Sequence, residues 1–166
     1  VQDAISRWND VAAQTSVSMV PHAGKPEDDH LVFTLGHQCS SQVGRRGGPQ
    51  EITVTRRVRL GAVMHEIGHA IGLRHEHSRP DRDSHVKIMW ENVLPIAHYN
   101  FISHADEPDG DYDTGSIMHY SRLAFSRNRW PTVVPIEGDT VEIGQRRALS
   151  QGDIARVARL YEGAGS

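Results

Sequence analysis

Residues 65–76 read His65-Glu66-Ile67-Gly68-His69-Ala70-Ile71-Gly72-Leu73-Arg74-His75-Glu76, and this stretch decides how the rest of the chain is read. Leu60 to about Gly72 carries helical period, with Val63, Ile67, Ala70 and Ile71 available to a core. On a helix, four residues advance about 6 Å and rotate about 40° past a full turn, so His65 and His69 point the same way. Two imidazoles one turn apart can reach a single tetrahedral ion at about 2.0–2.1 Å. Glu66 lies beside that ion without needing to bind it, which suits a general base acting on a water held there. Gly72 can take positive φ, end the helix and let the chain double back. His75, three residues later, is then placed to complete the set. Three protein ligands leave one position for water, the arrangement of a catalytic rather than a structural zinc site.

Outward from the motif, Val1, Ala4, Ile5, Trp8, Val11 and Ala12 recur at helical spacing, which predicts an amphipathic helix over residues 1 to about 14. Residues 16–20 and 31–35 are short β-type runs joined by the polar loop 21–30, and Glu51–Thr55 alternates as a strand should. After His75 the character changes. Prolines, Asp-Gly pairs and scattered aromatics between Ser78 and Gly138 predict an irregular stretch with little regular structure. A last helix is expected near Asp153 to Tyr161, with Ser150 and Asp153 spaced as a capping box. The pattern is α+β, with an upper lobe that ends in the motif helix, a loop-rich lower lobe and a cleft between.

Composition narrows the function classes. The 166 residues are 37% hydrophobic and 23% charged, which suits a folded globule. A formal net charge of −3 gives no reason to expect nucleic acid as a partner, and no apolar run approaches the roughly 20 residues of a membrane span. With Cys39 the one cysteine, no intrachain disulfide can form.

The pattern His-Glu-x-x-His-x-x-Gly-x-x-His resembles that of the metzincin zinc peptidases, and Glu76 directly after the third histidine is similar to the astacin family among them. Ser78-Arg79-Pro80-Asp81-Arg82-Asp83 resembles the astacin continuation, and Ser116-Ile117-Met118-His119-Tyr120 its methionine turn. Residues 39–50, Ile143-Gly144-Gln145-Arg146, and Leu149-Ser150 with Asp153 also match. The resemblance implies a metzincin-like α+β fold over residues 1–166. Its upper lobe, about 1–75, would hold a twisted, mostly parallel sheet plus two helices. Its lower lobe, about 76–166, would be irregular with a C-terminal helix.

The function it implies is that of a secreted endopeptidase made as a zymogen, acting on protein or peptide substrates and held by a propeptide or inhibitor. One catalytic Zn2+ would sit on His65, His69, His75 and a water, with Met118 as the hydrophobic base beneath it. Tyr120 would be a loose fifth ligand that swings away to hydrogen-bond the tetrahedral intermediate. Arg146 would line a pocket for acidic residues just after the scissile bond. A non-catalytic zinc-binding module and a zinc hydrolase of non-peptide substrates are the rival readings; the presence of both Glu66 and Tyr120 counts against the first, and a casein digest with and without a zinc chelator separates all three.

The chain departs from the family's pattern in three places. The family usually carries two disulfides, whereas only Cys39 stands here, with Arg57 near its expected partner position, so Cys39 is read as a buried or free thiol. The family domain opens with a strand before its first helix, and this chain opens at the helix. Roughly 15–25 residues are therefore expected to precede Val1 in the active enzyme. The segment between His75 and the methionine turn is compact, so the lower wall of the cleft is expected to differ in detail. Glu76 is expected to be buried and structural. Its partner in relatives is the freed N-terminal ammonium, with an internal arginine as the alternative.

Overall fold

The computed structural model describes residues 1–104, 109–138 and 140–162, and the chain forms two compact units. One comprises Val1–Arg74 with the chain from Arg146 onward, the other His75–Gln145.

The first unit is built around α3, Leu60–Ile71. Every residue of this helix from Val63 to Ile71 is buried, so it is covered nearly all round rather than along one stripe. The helix α1, Gln2–Asn9, buries Ala4 and Trp8 and packs on α3. The Trp8 indole N–H donates to the Met64 carbonyl at 3.1 Å, so the ring is buried without stranding its polar tip. A sheet covers α3 as well. Its order is β1 (His30–Leu35), β3 (Pro49–Val54), β2 (Ser40–Ser41), with β1 parallel and β2 antiparallel to β3. Gln50, Ile52 and Val54 alternate as the buried face of β3, as the two-residue period of a strand requires. An open cavity of about 950 Å³ flanks the edge strand β1, lined by Ile5, Met19, Val20, Leu31 and Phe33 among others.

Two expectations at the start of the chain are corrected. The helix predicted over residues 1–14 breaks after Asn9, and a four-residue helix, α2, follows at Ala12–Thr15. The run at 16–20 forms no strand. The second follows from Asn9, whose side-chain amide donates to the Met19 carbonyl at 2.9 Å and accepts from its N–H at 2.8 Å. A side chain thus takes the backbone groups that a neighbouring strand would have paired.

The last helix, α4 at Gln151–Tyr161, starts at the expected capping box, with the Ser150 hydroxyl and the Asp153 carboxylate exchanging hydrogen bonds with each other's backbone N–H. It packs on α2, and its Tyr161 hydroxyl donates to the Ile71 carbonyl at 2.9 Å. It therefore belongs with the first unit, whereas the sequence placed it in the second lobe.

The second unit is irregular, as expected. Short 3-10 segments at Glu76–Ser78, Arg82–Ser84, Trp90–Asn92 and Pro95–Phe101 accompany an unforeseen two-stranded antiparallel ribbon, β4 (Val86–Ile88) and β5 (Val133–Pro135). Val86, Ile88, Val93, Ala97, Phe101, Val133 and Ile143 form its core. Of the stretch expected to be irregular, residues 105–108 lie outside the described residues.

Gly61 in the first turn of α3 lets the chain at Arg146 cross the helix in contact. A methyl group built there would lie 1.8 Å from the Arg146 carbonyl oxygen. Helix propensity alone favours alanine by about 1 kcal/mol. Overpacking against backbone costs about 1–3 kcal/mol or more and opposes it. Gly61→Ala should therefore lower the midpoint of urea unfolding; an equal or higher midpoint would show that the 146 segment yields freely.

Candidate metal centre

The helix α3 ends where the motif needs it to. Gly72 adopts φ 128°, its N–H reaches the His69 carbonyl at 2.9 Å, and Leu73 N–H reaches the Gly68 carbonyl at 2.9 Å. These are the paired bonds of a Schellman termination, and they turn the chain out of the helix axis. The N–H of Gly44 also donates to the His69 carbonyl at 2.8 Å, so this end carbonyl accepts a second hydrogen bond from outside the helix.

The unit boundary falls between Arg74 and His75, inside this continuous stretch. His65, His69 and His75 form a single group. Each offers one ring nitrogen, and the three atoms all lie within 4.8 Å of one another. His65 and His69 are buried and His75 half-buried. The rings of His65 and His69 meet edge to face at 4.6 Å.

The electrostatics suit a cation. Burial lowers the pKa of His69, although its ring bond with the Leu73 carbonyl opposes that and the Arg146 charge adds to it. A neutral imidazole is what a metal requires. His69 Nδ1–H donates to the Leu73 carbonyl at 2.8 Å, which leaves Nε2 as the lone-pair nitrogen. Glu66, adjacent to His65 and itself buried, has its pKa raised to about 7 by burial, against the pull of Arg146. A divalent cation at the histidines would pull it back down. Among the described residues, the group contains three histidines and no fourth His, Cys, Asp or Glu ligand. The donor set fits one zinc ion with an open position.

Around the third histidine, the second unit places the rest of the expected residues. Glu76 is fully buried; its carboxylate accepts from Asp113 N–H at 2.8 Å and lies 3.5 Å from the Arg79 guanidinium. An internal arginine is thus a partner of its charge. The N–H of Glu76 donates to the carbonyl of Met118, whose side chain is fully buried, and this ties the methionine turn to the 3-10 turn that follows His75. The half-buried Tyr120 ring lies 4.6 Å from His75 and stacks on His77 at 3.7 Å. Cys39 is a half-buried free thiol and is not in the ligand group.

Residues 1–162 match the family model described as Astacin (Peptidase family M12A). The chain belongs to the astacin family. It is 46% identical over 147 residues to bone morphogenetic protein 1 of Xenopus laevis, covering 82% of this chain and 21% of that protein. It is 44% identical over 139 residues to high choriolytic enzyme 1 of Oryzias latipes, covering 81% of this chain and 52% of that protein. The chain therefore spans about half, or much less, of the curated relatives it matches. The solved structure of that medaka enzyme, a hatching enzyme zinc-protease, superposes with a TM-score of 0.88 at 37% identity, covering 97% of this chain and 80% of that one. Myroilysin, at 20% identity and a TM-score of 0.63, shares the fold. These likenesses confirm the metzincin α+β fold. They also support zinc as the ion that the three imidazoles fit.

Sequence reasoning missed His77, Phe101 and Tyr112 as parts of this surround, and quoted Arg79, Arg82 and His119 within motifs without giving them a role there. The Tyr112 hydroxyl pairs with His119 Nε2 at 2.7 Å, and His119 Nδ1 with the Tyr120 carbonyl at 2.7 Å. The only signal for them was the density of His and Arg around the two motifs.

Adding zinc to metal-free protein should raise the thermal midpoint, by about 2.7 kcal/mol of stability when free zinc stands at a hundred times its Kd. His69→Ala should abolish the rise. An equal rise in that variant would place the ion elsewhere.

Proposed function

We propose that the protein is a zinc-dependent endopeptidase in which Glu66 is the general base and Tyr120 the donor to the developing oxyanion. The observation that carries the reading is the single group of three histidine nitrogens within 4.8 Å, with a buried carboxylate on the residue after the first of them. His65, His69 and His75 would hold the ion, with Tyr120 as a loose fifth ligand and Met118 as the apolar floor. Bound there, zinc supplies Lewis-acid polarisation of the scissile carbonyl and acidifies a coordinated water to a pKa of about 7. Glu66 accepts the proton as water adds to the carbonyl and later delivers it to the leaving amine. Tyr120 donates its hydroxyl to the oxygen that gains charge, an interaction worth about 10²–10³ in rate.

Arg146 is half-buried, and its charge is felt at both Glu66 and His69. This supports its assignment as the cation that receives an acidic residue just after the scissile bond. Substrates are proteins or peptides, and a propeptide or inhibitor is the partner expected from the family. Secretion is part of the same reading. Among the described residues, no helix is long and apolar enough to cross a membrane.

Casein should be digested by the zinc-loaded protein and spared after a strong chelator; digestion that survives complete removal of the metal would sink the reading. Glu66→Gln should keep the zinc content of the parent while abolishing turnover, and loss of zinc in that variant would make Glu66 a ligand instead. Tyr120→Phe should lower kcat about 10²-fold with zinc retained and KM little changed.

Cleavage of a peptide library should favour Asp or Glu just after the scissile bond, and Arg146→Ala should remove that preference. A profile that the substitution leaves unaltered would return Arg146 to a purely structural role.

A further inference from the structure

The geometry points to His77 as a positioning residue for Tyr120: its buried imidazole face holds the phenol ring to one plane and leaves it free to move only within that plane. This rests on the reading of Tyr120 as the oxyanion donor.

The two rings lie 3.7 Å apart with 21° between their planes, a stacked contact. The others meet it at steeper angles: His75 at 4.6 Å and 60°, Phe101 at 5.6 Å and 80°, Phe125 at 5.7 Å and 44°. The phenol therefore has a flat wall on one face and inclined or edge-on rings around it. Parallel faces in contact lose little when they slide, whereas tilting separates them. A tyrosine that must swing toward the reacting centre and return is thereby kept to one path.

His77 is built to be a wall. It is fully buried, and its ring is anchored where Nε2–H donates to the Asn100 carbonyl at 2.9 Å, with the Ser78 hydroxyl 3.2 Å from the same nitrogen. Its carbonyl accepts from Arg82 at 3.1 Å, so the backbone is held as well. The other ring nitrogen, Nδ1, is buried with no hydrogen-bond partner. That costs stability and gives no hydrogen bond in return. Core packing alone would favour an apolar side chain here. What the ring offers Tyr120 is a flat face, and the bond to Asn100 satisfies its Nε2–H.

Two complementary variants separate face from anchor. His77→Gln keeps an N–H donor for Asn100 and removes the ring; His77→Phe keeps the flat face and removes the donor. His77→Gln should lower kcat about tenfold with KM within about twofold, while His77→Phe stays within about threefold of the parent. In a Tyr120→Phe background, His77→Gln should cost no further kcat, because the hydroxyl it positions is gone. In the metal-free protein with labelled tyrosine rings, NMR should find Tyr120 ring flips slow in the parent and in His77→Phe, and fast in His77→Gln. If His77→Gln does not fold, His77→Met serves as the ringless variant with the same readouts. Parental kcat and flip rate without the ring, a Phe variant as impaired as the Gln one, or a loss that persists in the Tyr120→Phe background would each overturn the proposal. A Tyr120→Phe single variant with parental kcat would overturn the underlying reading of Tyr120, and the proposal with it.

Discussion

A helix can offer ligands to one ion only where successive turns bring side chains to the same face, so a third ligand forces the helix to stop. Everything specific to this chain follows from how it stops. Gly72 at φ 128° is the residue that permits the reversal, because a side chain there would be strained in a conformation that L residues rarely adopt. The Leu73 carbonyl, at the turn itself, then receives the Nδ1–H of His69. The backbone that ends the helix thus also fixes which nitrogen of His69 is left with its lone pair for a metal, and helix termination and the candidate metal site share the same atoms.

Such a helix has to be buried nearly all round, because its polar motif and its apolar core positions alternate over the same few turns. Trp8 covers the Met64 turn, Gly44 caps His69, Tyr161 closes on Ile71, and the 146 segment crosses at Gly61. The last two come from the C-terminal stretch of the chain, which explains why that stretch belongs with the beginning. The same crossing brings Arg146 close enough to Glu66 and His69 for its charge to act on both.

The motif helix, its glycine stop, the gathering of the three histidines and the capped last helix were legible in the sequence, because each depends on local periodicity or on a terminal side chain that bonds to nearby backbone. The strand expected at 16–20 was not readable. Its β-type composition is real, but the Asn9 amide takes the backbone groups of Met19, and no local pattern announces a contact ten residues away. The assignment of the last helix to the second lobe failed for a related reason. Its amphipathic face predicted burial, yet the surface that receives it is α2, set by a break between Asn9 and Ala12. The surround of Tyr120 was invisible because ring stacking at 3.7 Å has no spacing rule in sequence.

The second unit shows how a loop-rich structure is held by arginines where regular ladders are few. Extended loops leave carbonyls that no strand or helix satisfies, and each one buried without a partner costs stability. Arg79 donates to the carbonyls of Asp109, Gly110 and Asp111 while its fork grips the Asp81 carboxylate, and Arg82 gathers the carbonyls of His77 and Phe101. A planar donor fork suits this task better than an ammonium, because it reaches several acceptors at fixed angles. Glu76 completes the balance. Its buried carboxylate faces the same Arg79 and takes Asp113 N–H, so the loop around 109–113 and the turn after His75 are tied to one guanidinium. The residue that follows the third ligand is therefore fixed by charge, and the N–H of that residue fixes the Met118 carbonyl in turn. The methionine turn, and with it the tyrosine two residues on, is aligned through a buried ion pair rather than through any extended sheet.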